Sequence, residues 1–371
     1  MRVGVPKEIK NHEYRVGLTP ASVSELVLAG HDVLVERDAG RAIGMLDSDY
    51  EAAGARIAPS AADVFASAQM IVKVKEPQLQ ECAMLTADQI LYTYLHLAAD
   101  PGQTTALMDS GAVCIAYETI TGSHGSLPLL APMSEVAGRM AIQAAATHLE
   151  KARGGKGLLL GGVPGVAPAH VVIVGAGVVG SHALQMAVGM KARVTVIDKN
   201  LNRLRELDQI YGNQITTQYA TTAAIKQAVA SADVVIGAVL LPGAAAPKLV
   251  THDMIKTMQA GSVVVDVAID QGGCFETSKP TTHDEPTFVV DDVIHYCVAN
   301  MPGAVARTST LALNNATLPH ALALANQGWK EAMRLDGHLR EGLNVCQGKV
   351  TYAAVAQALG LAYTPADTML A

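Results

Sequence analysis

The feature that most constrains this chain is the stretch His170 to Asp198, HVVIVGAGVVGSHALQMAVGMKARVTVID. An apolar run leads into Gly175-Ala176-Gly177-Val178-Val179-Gly180, a helix-like segment follows, and a second apolar run ends in Asp198. Strand, glycine turn, helix, strand and acid in that order make a dinucleotide-binding unit. Gly175 permits the tight turn out of the strand. Gly177 lets the backbone approach a pyrophosphate, and Gly180 lets the helix pack close to the sheet. The helix N-terminus then offers free N–H groups and the positive end of its dipole to phosphate. Asp198 lies 23 positions beyond Gly175. A carboxylate there accepts hydrogen bonds from a ribose diol and repels a 2′-phosphate, so the expected cofactor is NAD rather than NADP. Arg203, close by, is the feature that pulls the other way. A second glycine-rich stretch, residues 154–168, lacks the GxxxxGK[ST] spacing of a triphosphate loop.

Around this unit the chain alternates. Runs such as RVGVPKEI, HDVLVE, MIVKVKE, QILYTYLHL and AVCIAYE read as strands. Thr19-Pro20, Ser60 and Asp100-Pro101 mark helix starts between them. Alternation of this kind predicts a parallel sheet with helices on both faces, a second doubly wound unit without the glycine fingerprint. Ser134 is expected to cap a long helix. Beyond Asp198, DVVIGAVL, SVVVDVAID and PTFVVDDVIHYCV read as strands, and from Thr308 the tail reads as mostly helical. The expected fold is α/β, with two Rossmann-like domains. Residues 130–305 would form the cofactor domain. Residues 1–129 and 306–371 would fold together as the substrate domain, with a ligand in the cleft between the two sheets.

Composition excludes several functions. Only 16% of the 371 residues are charged and half are hydrophobic, which suits a large enzyme or a subunit that buries surface against its own copies. The net charge of -7 gives no basic footprint for nucleic acid or anionic lipid. Cys82, Cys114, Cys274, Cys297 and Cys346 form no CxxC pair, which points to a reduced, cytoplasmic setting. MRVGVPKEIK is no signal peptide, no apolar run reaches membrane-spanning length, and the histidines show no metal-ligand spacing.

Four charged residues sit in or beside apolar sequence: Arg15 in the loop after the first strand, Lys75 on MIVKVKE, His96 at the end of LYTYLHL, and Asp270 at the end of VVVDVAI. Lys73 and Asp266 are their rivals on the same strand faces. Each has an ordinary reading too: a solvated arginine, an edge-strand lysine, a core histidine, a turn-capping aspartate. Together they supply what hydride chemistry on a small acid needs. A guanidinium fork or ammonium holds a carboxylate, and histidine moves a proton near neutral pH. A second carboxylate attends an amine or carbinolamine.

KEIKNHEYRVGLTP at 7–20, VKVKEP at 72–77, YLHLA at 94–98, APMSEVAGRMA at 131–141, VGAGVVG at 174–180 and DVAIDQGG at 266–273 together resemble the alanine dehydrogenases along almost the whole chain. The sequence is also similar, less closely, to the NAD-binding subunit of nicotinamide nucleotide transhydrogenase, which usually carries Glu where this chain has Asp270. A saccharopine-type dehydrogenase is a further alternative. The resemblance implies reversible, NAD-dependent oxidative deamination of L-alanine to pyruvate and ammonium, a step of amino-acid catabolism, in a homo-oligomer that is commonly a hexamer. It implies that Arg15 and Lys75 bind substrate and that His96 and Asp270 are catalytic. Implied cofactor contacts are Ser134, Val178, Val179, Asp198, Arg203, Ala220 (Ser in many members), Val239, Leu240, Val267, Ala268, Ile269, Asp270, Lys279, Val298, Ala299, Asn300 and Met301.

Overall fold

In the computed structural model, residues 1–239 and 246–371 are described. The chain divides into two compact units, Met1–Met133 with Val305–Ala371, and Ser134–Ala304.

The first unit is built on an eight-stranded sheet. Its strands are β1 (Arg2–Val5), β2 (Asp32–Glu36), β3 (Arg56–Ala58), β4 (Met70–Val72), β5 (Ile90–Thr93) and β6 (Val113–Ala116), joined late in the chain by two more. Their order is β3-β2-β1-β4-β5-β6, all parallel. Such a sheet has a switch point between β1 and β4, where successive connections leave to opposite faces. Helix starts follow the expected chemistry. Thr19 and Asp100 accept from the backbone N–H groups of Ser22 and Gln103, each followed by a proline whose missing N–H costs nothing there.

The second unit holds seven strands. They are β7 (His170–Val174), β8 (Arg193–Asp198), β9 (Ile215–Tyr219), β10 (Val234–Gly237), β11 (Val263–Asp266), β12 (Thr287–Val290) and β13 (Val293–Tyr296). The order is β12-β13-β11-β10-β7-β8-β9, parallel except for β12. Read from β7, its parallel strands follow the dinucleotide-binding order 3-2-1-4-5-6, with β12 an antiparallel addition at the edge and the switch point between β7 and β10. β7, β10 and β11 are buried along their whole length, as strands covered on both faces must be.

The structure corrects four readings. Lys75 is not on a strand: β4 ends at Val72, and Lys73 to Lys75 continue as irregular backbone held by hydrogen bonds to the β5 side. His96 and Asp270 also lie beyond their strands. Ser134 does not cap the long helix, which runs Ala131–His148. The turn at Leu127–Leu130 feeds directly into it, and Pro132 falls in its first turn, where its missing N–H is tolerated. The tail is mostly helical, as expected, and also holds two short strands. After the helices Ala306–Gln327, Trp329–Leu335 and Gly337–Arg340, β14 (Leu343–Cys346) and β15 (Lys349–Val350) add two antiparallel strands beside β6.

Candidate active site

In the second unit the glycine turn lies at the switch point. Gly175 has φ 102°, and an added Cβ would meet the carbonyl oxygen of Ala238 at 2.7 Å, so only glycine fits. At Gly180 a Cβ would lie 1.8 Å from the carbonyl oxygen of Gly175, which is the close approach of helix to turn. At Gly177, the residue preceding the helix Val178–Gly189, a Cβ would meet nothing within 4 Å. The space that glycine leaves is the opening a pyrophosphate needs, beside exposed Val178 and half-buried Val179. The residues present therefore fit a dinucleotide.

Asp198 ends β8. Its Oδ2 accepts from the Ala176 N–H at 2.6 Å and its Oδ1 from the Asn200 N–H at 2.7 Å, so the acid clamps the turn while remaining half-exposed. Arg203 is already engaged: Nε donates to the Ala176 carbonyl, Nη2 to Ser181 Oγ and Nη1 to Glu206. A guanidinium so committed supports the turn rather than waiting for a 2′-phosphate. Half-buried Ala220 donates its N–H to the Asp198 carbonyl, one strand away.

The other implied cofactor contacts scatter along strand ends. Val239 follows β10 and is half-buried; Leu240 lies outside the described residues. At the end of β11, Asp266 is fully buried and pins the following loop, accepting from the N–H groups of Ala268, Cys274 and Phe275 and from Ser278 Oγ. Burial pushes its carboxyl up, against those hydrogen bonds. Val267 is half-buried, Ala268 and Ile269 are buried, and Asp270 stands exposed in a 3-10 turn, Ile269–Gln271. The two rival acids are thus separated: Asp266 is architecture and Asp270 faces outward. Lys279 lies 4.5 Å from the Phe288 ring centroid. Val298 and Met301 are buried, while Ala299 is exposed and Asn300 adopts φ 65°. Ser134 is half-buried in the first turn of its helix.

In the first unit the carboxyl ends of β1, β4, β5 and β6 carry a chain of charged and aromatic groups. Arg15 is buried, 2% exposed, and Glu13 grips it bidentately, with Nε to Oε1 at 2.7 Å and Nη2 to Oε2 at 2.6 Å. Its Nη1 points to Met133 Sδ at 3.1 Å. Burial alone would raise the Glu13 carboxyl, but the guanidinium outweighs it and holds the group below the usual range, helped by the Lys75 charge. Lys73 is fully buried between Glu8 and Glu81, at 2.9 and 2.8 Å. Glu8 also accepts from the Val74 N–H at 2.7 Å. Lys75 is 16% exposed with Glu76 at 3.7 Å. Of the two lysines, Lys73 is spent inside the fold and Lys75 reaches its surface.

His96 is neither in the core nor on a strand. It has φ 51° and ψ 38°, a left-handed conformation that costs a non-glycine residue about 1–2 kcal/mol. Its ring stacks on Tyr94 with centroids 5.8 Å apart, and the Tyr94 hydroxyl donates to the Leu129 carbonyl at 2.5 Å. Half of the ring is open to solvent. Reading the sequence missed Glu13, Tyr94 and Glu118. Glu13 and Tyr94 were visible in principle, each two residues from its partner, Arg15 or His96; Glu118 meets His96 only through the sheet.

A glycine turn at the switch point of a 3-2-1-4-5-6 sheet in one unit, and in the other unit a sheet of the same order whose strand ends carry arginine, lysine and histidine, define a two-unit dinucleotide-dependent α/β enzyme. The family models for the N-terminal and C-terminal domains of alanine dehydrogenase/PNT match residues 4–137 and 141–353. Over the full length of both chains, the sequence is 61% identical to the alanine dehydrogenase of Halomonas elongata and 57% identical to that of Methanococcus maripaludis. A solved L-alanine dehydrogenase superposes with a TM-score of 0.95 at 52% identity, covering 97% of this chain and 99% of that one. A transhydrogenase from Sinorhizobium meliloti superposes at 0.81 with 25% identity, covering 95% and 100%. The chain belongs to the alanine dehydrogenase/PNT family.

Proposed function

We propose that the chain is an NAD-dependent L-alanine dehydrogenase, interconverting L-alanine, NAD⁺ and water with pyruvate, ammonium and NADH. The observation that carries this reading is the pairing of a glycine turn closed by Asp198 with the Arg15–Lys75–His96 group, in a chain 61% identical to an alanine dehydrogenase. NAD is favoured over NADP because Asp198 would repel a 2′-phosphate and Arg203 is bound to the turn itself. Gly177 and the N–H groups of Val178 and Val179 would hold the pyrophosphate. The nicotinamide supplies or takes the hydride.

The chain's own residues do the rest. Arg15, kept oriented by Glu13, and Lys75 hold pyruvate by its carboxylate and carbonyl oxygen. Ammonia attacks the carbonyl carbon, and His96 carries the proton that leaves nitrogen and the one that hydroxyl needs to depart as water. Asp270 stabilises the cationic iminium so formed. Assembly into a homo-oligomer, a hexamer by analogy with the family, is supported by a loop whose Leu159, Val163 and Val166 are all more than half exposed. Two variants test the roles. His96→Ala and Asp270→Asn should each leave only a small residual rate of reductive amination of pyruvate while NADH still binds. Normal turnover in either sinks the role given to that residue.

A further inference from the structure

We infer that Glu118 is the positioning residue of His96. This rests on His96 being the acid/base group. Glu118 lies in the 3-10 turn Tyr117–Thr119 after β6, the neighbour of β5, and is 14% exposed. Its carboxylate does three things at once. Both oxygens accept from the Leu95 N–H at 3.2 Å, and Oε1 accepts from the His96 N–H at 2.6 Å. Oε1 also stands 3.9 Å from His96 Nδ1. The acceptors therefore fix the backbone at the residue that must stay left-handed. The stacked Tyr94 ring fixes the plane of the imidazole, its own hydroxyl tied to Leu129. A small turn of the ring brings Nδ1–H onto the carboxylate, as an imidazolium requires, and leaves Nε2 facing outward to exchange protons with substrate. Among the described residues, Glu118 is the acidic side chain that lies within ion-pair distance of His96. The division of labour follows: His96 moves the proton, and Glu118 decides where the ring sits and which nitrogen is bare.

The test measures reductive amination in Glu118→Ala, Glu118→Gln, His96→Ala and the double variant His96→Ala/Glu118→Ala. Glu118→Ala should lower kcat on the order of 100-fold, with KM for pyruvate and NADH affinity within about threefold of the parent, because Arg15, Lys75 and the glycine turn are untouched. Glu118→Gln keeps one oxygen for the N–H groups and should recover part of that loss. Adding Glu118→Ala to His96→Ala should cost nothing further, since a positioning residue has nothing left to position. A further loss in the double variant equal to that of Glu118→Ala alone would overturn the inference, as would wild-type kcat in Glu118→Ala. Wild-type turnover in His96→Ala would overturn the acid/base reading, and this inference with it; a His96→Ala with only a small residual rate beside a normal Glu118→Ala would overturn this inference alone.

Discussion

At the scale of single residues, two pairs of like side chains show how burial sorts roles that sequence leaves open. Lys73 and Lys75 stand two apart in VKVKEP, and Asp266 and Asp270 four apart in DVAID. In each pair one member is locked in the fold and the other is presented. Burial works against the Lys73 charge, but Glu8 and Glu81 more than restore it. Replacing it as Lys73→Met leaves two buried carboxylates facing each other. Equilibrium urea unfolding should then register a loss of about 3–5 kcal/mol, the cost of an uncompensated buried charge. Asp198→Asn keeps the size of the side chain and removes its charge. The ratio of NADPH to NADH turnover should rise by about tenfold or more, a single charge–phosphate repulsion being worth over 1 kcal/mol in such a site. An unchanged ratio contradicts the ribose assignment.

At the scale of elements, the glycine turn yields a contrast. Gly177→Ala adds a methyl into open space, so the fold should survive with its melting temperature intact while NADH binding fails, as isothermal titration would show. Gly180→Ala drives a methyl into the Gly175 carbonyl, so the second unit itself should destabilise, visible as a lower thermal midpoint. The turn was legible in the sequence because its signal is local: strand, three glycines, helix and acid within one stretch. The parallel sheets were legible for the same reason, each strand being a short apolar run between helix signals. What could not be read was set at longer range. β9, with the polar sequence ITTQY, is an edge strand of half-exposed residues and lacks an apolar run. β14 and β15 form only because β6 offers an unpaired edge to a segment more than 200 residues later. Arg15, Lys75, His96 and Asp270 were picked out by type and by resemblance. Their setting was only partly legible: Glu13 and Tyr94 stand two residues from Arg15 and His96, but Glu118 becomes the partner of His96 through folding.

At the scale of the whole molecule, stability depends on histidines held neutral. Burial lowers the basicity of His170, His295 and His320. His170 is fixed by Thr195 and the Ser231 carbonyl, and His295 by Thr277 and the Val293 carbonyl. The unfolded chain binds protons at these positions more readily than the folded one. Stability is therefore fully present above the ordinary histidine range, near pH 6.5, and falls as pH drops through it toward the lowered folded values. Urea midpoints measured between pH 8 and pH 5 should decline on the acid side, and the decline should lessen in His170→Gln. No helix among the described residues is long and apolar enough to cross a membrane, and all five cysteines are buried free thiols. The most direct measurement is the loss of NADH absorbance in the presence of pyruvate and ammonium together. The expected result is rapid oxidation that needs both substrates, is far slower with NADPH, and yields L-alanine. NADH that binds but is not oxidised when pyruvate and ammonium are supplied together would contradict it.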